Sequence, residues 1–208
     1  MAKRQLKEYP DIALRPEDVD GKIDFSNIFG RKAAIHIEIG SGKGTFLVNQ
    51  AQAFPDINFL GIEWANKYYK YAVDRIGRRK LANVCIIRTE AASFIANSID
   101  KASVECFHVY YPDPWPKKRH HKKRFICAKN VAQLIRCLKK NGLINFATDH
   151  AEYFQWARDV FEGFAGELKP VEFISPAGAS EGELVGTNYE RKYAMEKRDI
   201  FTIAFKKI

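Results

Sequence analysis

The sequence predicts a doubly wound α/β fold, with a mostly parallel sheet covered by helices on both faces and closed by an antiparallel C-terminal strand. Two observations predict it. Short apolar runs alternate with stretches of helical period from residue 33 to about residue 161. Glycines also crowd the end of the first run, at Gly40, Gly42 and Gly44, which is where sheets of this kind bind ligands. With 208 residues and no linker or internal repeat, a single domain over 1–208 is expected, residues 1–25 forming an N-terminal arm that is free to be flexible.

Taken in order, residues 33–39 (AAIHIEI) read as a buried strand and 44–53 as a helix, followed by a strand over 58–63. Tyr69, Val73 and Ile76 recur at helical spacing within 66–79. Further apolar runs at 84–87, 104–110 and 143–148 read as strands, with helices over 91–96, 124–140 and 151–161. Two last strands, 170–174 and 200–205, flank a glycine-rich segment, 178–186, and suit antiparallel pairing.

Charge narrows the function. Thirty-four Lys and Arg against 25 Asp and Glu give +9, which favours a polyanionic partner. Residues 117–124 read KKRHHKKR, six fixed cations and two histidines. No apolar run reaches the 18 or so residues of a membrane span, and the first residues hold no apolar signal core. Four cysteines without a CxxC pair fit a reduced, cytoplasmic protein.

The first loop, Glu38-Ile39-Gly40-Ser41-Gly42-Lys43-Gly44-Thr45, lets the backbone turn sharply and approach a ligand. A P-loop needs Ser or Thr after Gly42-Lys43, and Gly44 stands there; a dinucleotide loop needs a third glycine where Thr45 stands. An acid followed by G-x-G-x-G resembles motif I of class I S-adenosylmethionine-dependent methyltransferases; a tight structural turn is the plainer alternative. Glu63 ends the second strand, where a carboxylate can accept both hydroxyls of a ribose. Trp64 is placed to cover an adenine, and Glu90 to accept from the adenine amino group or simply to face solvent at a helix start.

The fourth strand runs into Tyr110-Tyr111-Pro112-Asp113-Pro114-Trp115-Pro116-Lys117. Each of Tyr111, Asp113 and Trp115 precedes a proline, which biases it towards extended backbone. An acid is thus held between aromatics beside a run of cations, an arrangement suited to an unstacked purine and its phosphates. A rigid loop followed by a solvated basic run is the blander reading.

These residues closely resemble the signature of bacterial tRNA (guanine-N7)-methyltransferases, the TrmB family. The resemblance runs from about residue 31 to 207 and includes E-I-G-S-G-K-G at 38–44, F-L-G-I-E at 59–63, A-T-D-H at 147–150 and T-N-Y-E at 187–190. It implies a Rossmann-like class I methyltransferase fold, S-adenosyl-L-methionine as cofactor, and methylation of the variable-loop guanosine of tRNA, position 46, at N7. It further implies that Glu38, Glu63, Glu90 and Asp113 bind the cofactor, with Asp113 also catalytic, and that Lys117, Asp149, Thr187, Asn188, Tyr189 and Glu190 meet the tRNA. The family commonly has Asp at the position of Glu90. Lys118, Arg119, Lys122, Lys123 and Arg124 are expected to contact phosphates.

Thr187 and Glu190 also match a capping box, and Asp149 sits where a helix N-cap is the default. His36 and His108 fall within strands as core residues with no cysteine or acidic partner at ligand spacing, so no metal is expected. Three other readings remain open from the residues alone: a class I methyltransferase for another substrate, a non-catalytic basic RNA-binding module, and a nicotinamide enzyme. A monomer or homodimer is expected.

Overall fold

The computed structural model describes residues 5–19, 21–179, 183, 185–193 and 199–208. Its apolar runs form β1 (Ala13–Leu14), β2 (Ala34–Ile39), β3 (Ile57–Ile62), β4 (Val84–Ile87), β5 (Val104–Tyr110), β6 (Leu138–Thr148), β7 (Leu168–Val171) and β8 (Phe201–Lys207). They hydrogen-bond in the order β1-β4-β3-β2-β5-β6-β8-β7. The first six strands run parallel, and β8 lies antiparallel to both β6 and β7. From β2 the chain winds outward to β3 and β4, then returns to the other side for β5 and β6. The order reverses between β2 and β5, which opens a crevice at their carboxyl ends.

Helices α1 (Phe25–Phe29), α2 (Thr45–Ala53), α3 (Asn66–Gly77), α4 (Ala91–Ser98), α5 (Ala128–Cys137), α6 (Ala151–Glu162) and α7 (Asn188–Tyr193) complete the chain. Because side chains alternate across a strand, β3 sends Phe59 to one core and Leu60 to the other. On one face Phe94, Val131, Leu134, Tyr153 and Phe161 of α4, α5 and α6 pack on Ile37, Phe107 and Phe146. On the other, Leu47 and Val48 of α2 and Ala72 and Ile76 of α3 pack on Phe59, Val84 and Ile86. Each buried aromatic of this kind contributes roughly 1.5–3 kcal/mol, which fixes the strands that carry the crevice.

Several boundaries differ from those the periodicity predicts, β6 among them, which begins at Leu138 and not at 143. The helix expected over 124–140 begins only at Ala128, because the Ile126 N–H is taken by the Tyr153 hydroxyl at 3.1 Å. It stops at Cys137, because Leu138 is buried and already pairs with Val104, ahead of an irregularity in the register before Cys106. The strand expected over 170–174 is shifted to Leu168–Val171, with Leu168 buried and Ile174 left exposed. The N-terminal arm is partly docked: β1 extends the sheet beside β4, Ile12 and Ile23 are buried, and the Tyr9 ring lies against Gly77.

Candidate active site

The loop after β2 closes on β3. Gly40 and Ser41 donate backbone N–H groups to the Ile62 carbonyl at 2.8 and 3.1 Å. Gly40, Gly42 and Gly44 all have positive φ, 79°, 53° and 69°. At Gly44 the backbone is also pressed against α3, where a Cβ would come within 2.9 Å of the Ala72 Cβ, so a side chain there is excluded twice over. The Gly42 N–H in turn donates to Glu63 Oε2 at 2.7 Å, and the Ala65 N–H to Glu63 Oε1 at 2.7 Å. Glu63 thereby ties the glycine loop to the start of α3.

A cavity of about 950 Å³ opens above these strand ends. Glu38, Gly40, Gly42, Glu63, Trp64 and Glu90 line one side, and Tyr111, Asp113, Trp115, Thr187 and Tyr189 line the other. Gly44, Lys117, Asp149 and Glu190 stand outside that lining. Glu38 is buried, and its Oε2 finds no hydrogen-bond partner among the described residues. Burial, then the nearby charge of Glu63, pushes its carboxyl up to about 8, against the Ser41 hydroxyl, which favours the charged form. Glu63 is raised by burial too, opposed by the Ala65, Gly42 and Trp64 N–H groups and reinforced by the charge of Asp113. Glu90 is the N-cap of α4, accepting from Ala92 N–H at 2.9 Å and Ser93 N–H at 2.7 Å. A cationic nucleoside such as S-adenosylmethionine fits this wall, because the carboxyl groups of Glu38 and Glu63 line it and a glycine cradle lies beneath.

The proline segment departs from the extended backbone expected of it. Tyr111 and Trp115 have φ of +50° and +44°, in the left-handed region that bulky residues rarely occupy. Packing holds them there. The Tyr111 N–H donates to the Ala147 carbonyl at 2.8 Å, and its ring stacks on Tyr189 with centroids 4.9 Å apart. Tyr189 donates its hydroxyl to Asp149 Oδ2 at 3.0 Å. Asp149 is not the cap of α6; His150 is, its Nδ1 accepting from the Tyr153 N–H. The capping box at 187–190 is half made. Thr187 Oγ1 accepts from the Glu190 N–H at 3.1 Å, but the Glu190 carboxylate turns back to the Val185 and Gly186 N–H groups at 3.0 and 2.8 Å. The side chain of Asn188 lies outside the described residues.

Of the cations expected on phosphates, Lys118, Arg119, Lys122 and Lys123 are exposed on a 3-10 turn, with Lys123 4.6 Å from the Trp115 ring centroid. Arg124 is a correction. It is 1% exposed, donates to the Pro114 carbonyl at 2.9 Å, pairs with Glu152 through both guanidinium nitrogens and lies over the rings of Tyr153 and Trp156. It anchors the proline segment from behind and presents nothing to a phosphate.

The histidines are a second correction. Register places His36 beside Cys106, and His108 two residues further on, with donor atoms of all three within 4.8 Å of one another. His108 Nδ1 meets the Tyr110 hydroxyl at 2.9 Å and its Nε2 meets His36 Nδ1 at 3.2 Å. Burial lowers both histidines, His36 to about 4, so this chain of hydrogen bonds beneath the cavity is neutral. The alternation of 106, 108 and 110 along one strand was the available signal; the cross-strand partner was not.

The chain matches the family model described as "Putative methyltransferase" over residues 32–203. It is 35% identical over 184 residues to the tRNA (guanine-N(7)-)-methyltransferase of Rhodopirellula baltica, covering 79% of this chain and 68% of that one. It is 32% identical over 203 residues to the enzyme of the same name from Streptococcus thermophilus, covering 97% and 93%. Among solved structures, a SAM-dependent methyltransferase from Aquifex aeolicus superposes with a TM-score of 0.57 at 12% identity, covering 88% of this chain and 87% of that one; this likeness speaks to the fold alone. With both the glycine-loop wall and the proline segment inside the matched region, the chain belongs to the TrmB family of tRNA (guanine-N7-)-methyltransferases, S-adenosylmethionine-dependent enzymes of the class I fold.

Proposed function

We propose that this enzyme methylates N7 of the guanosine at position 46 in the variable loop of tRNA, acting in the cytoplasm as one methyltransferase domain spanning 1–208. The observation that carries the reading is the opposition of two walls across one cavity: buried carboxylates and glycines on one side, Asp113 among aromatics on the other. Glu38, Glu63, Trp64 and Glu90, with Gly40, Gly42 and Gly44 beneath, would hold the cofactor, Glu63 at its ribose. When bound, S-adenosylmethionine supplies an electrophilic methyl group on a cationic sulfur.

Guanine N7 carries a lone pair and no proton, so no general base is needed. The residues of the far wall would hold N7 in line with the methyl group that the bound cofactor would supply. The protein's part is alignment and electrostatics. Asp113, accepting from guanine N1–H and N2–H, fixes the base and favours the positive charge that arrives on the ring. Tyr111 and Tyr189 offer a stacked aromatic face beside it, while Lys117, Asp149 and residues 187–190 border the nucleotide. Lys118, Arg119, Lys122 and Lys123 meet phosphates.

The test uses unmodified tRNA transcript, purified protein and methyl-labelled cofactor, followed by strand scission specific for N7-methylguanosine. A single cut in the variable loop, lost when that guanosine is replaced by adenosine, is the expected result. Label uptake without that cut refutes the target. Absence of uptake despite cofactor and tRNA binding refutes the activity. Asp113→Asn should slow single-turnover transfer at saturating cofactor by roughly a hundredfold or more; full transfer would remove Asp113 from the mechanism.

A further inference from the structure

One flank of the cavity mouth carries a strongly basic surface that the reaction as described does not use. From Trp64 to Lys80 the chain holds six cations, Lys67, Lys70, Arg75, Arg78, Arg79 and Lys80, against a single acid, Asp74. Asp74 is buried, and its carboxylate is taken up by the Lys7 N–H and by Arg78. Lys67, Tyr71 and Arg75 follow one another at i, i+4 spacing on α3 and form a single row, and Arg79 lies in the turn just past the helix end. Lys67, Tyr68 and Arg79 are exposed, and Arg75 is half-buried beside the glycine loop, donating to the Thr45 hydroxyl. Lys43, from that loop, sits 5.4 Å from the Tyr71 ring centroid.

Like charges three and four residues apart destabilise a helix by roughly 0.2–0.5 kcal/mol a pair. Burial, and then the charges of Arg79, Arg78 and Arg191, hold the Arg75 guanidinium below its usual range, as crowded cations should. An aromatic is interleaved with them: Tyr68, next to Lys67, is 43% exposed. A solvated basic face has no use for exposed rings, whereas single-stranded RNA meets both kinds of side chain, phosphates on cations and bases on rings. Position completes the argument. Lys43, Trp64 and Tyr68 line the same cavity as Trp115 and Lys123, from the opposite side.

We propose that the outer face of α3, with the turn that follows it, is a second contact surface for the substrate tRNA, with Lys67, Arg75 and Arg79 engaging phosphates and Tyr68 stacking on a base next to the extracted guanosine. The RNA then straddles the cavity, gripped on one rim by the 117–123 run and on the other by α3. This rests on the reading of tRNA as substrate.

Full-length K67E/R79E and, separately, Y68A are compared with the unsubstituted protein for binding of unmodified tRNA transcript across a salt series. Adenosylmethionine affinity is measured alongside on K67E/R79E. The double variant should bind tRNA roughly tenfold or more weakly, with the slope of log K against log salt reduced by about 1.5–2, and keep its cofactor affinity. Y68A should lose about fivefold or more in tRNA affinity with the slope unchanged. If K67E/R79E keeps both affinity and slope while K118E/K122E loses them, tRNA is held on the far rim alone and the proposal is overturned. If the unsubstituted protein binds no tRNA, the substrate reading falls and this surface with it. Both charge-reversal positions are exposed, and K67A/R79A, with half the charge change, provides a gentler variant with the same direction of effect.

Discussion

Glu38 enters a buried wall with one carboxylate oxygen unmet, and that placement makes the stability of the ligand-free protein depend on pH. Its folded-state value, about 8, lies above the ordinary carboxylate value of 4.5. The folded chain therefore binds more protons than the unfolded one between these values. The stabilising contribution is complete below about pH 4.5 and lost as pH rises through 8. Glu38→Gln should flatten the fall in thermal midpoint of the free protein between pH 5 and 8, a difference on the order of a few kcal/mol by denaturant titration. An unchanged pH profile would show that Glu38 is ionised without a ligand. At this scale the sequence was readable for Glu38 and Glu63, because a strand-end acid beside glycines has few other uses. It misled at Arg124, whose charge joined it to a basic run although its side chain turns inward to Pro114 and Glu152. Linear sequence carries no record of that turn.

Two short segments set the far wall, and each is pinned by one buried side chain. Arg124 holds 112–116 through the Pro114 carbonyl, in an apolar sleeve of Tyr153 and Trp156. Arg124→Ala leaves a cavity and an unmet carbonyl and should destabilise the fold by about 2–4 kcal/mol, read from the denaturant midpoint; a loss under half a kcal/mol would make the anchor dispensable. Glu190 holds 185–190 through two backbone N–H groups. Glu190→Ala should raise hydrogen exchange at Val185 and Gly186 by roughly tenfold or more, equivalent to about 1–3 kcal/mol of lost protection. The motif T-N-Y-E was legible as a helix start, and Thr187 acts as one. The second partner of Glu190 was not, because a carboxylate that can cap its own helix can equally clamp the preceding turn.

Across the whole molecule, the net charge of +9 includes the cations of 117–123 and of 67–80, two clusters that flank the cavity mouth. With Arg124 withdrawn, Lys117, Lys118, Arg119, Lys122 and Lys123 remain as exposed cations of the run, and about four phosphate contacts from them give a slope of log K against log salt near −3 to −4. A slope near zero would reduce the run to a solvating surface, and one steeper by about 1.5–2 is expected if α3 joins in. No described helix is long and apolar enough to cross a membrane. The alternation of apolar runs and helical stretches determined, without coordinates, a parallel sheet and the edge at which its ligands sit, because period and turn chemistry are local properties of the chain. Pairing across strands and packing behind loops were decided only in three dimensions. His36 meets Cys106 and His108 through register, Tyr111 takes a left-handed backbone through its stack on Tyr189, and Arg124 turns inward because Glu152 and two aromatics offer it more than water does. Such partners are dozens of residues apart in sequence, and only burial brings them together.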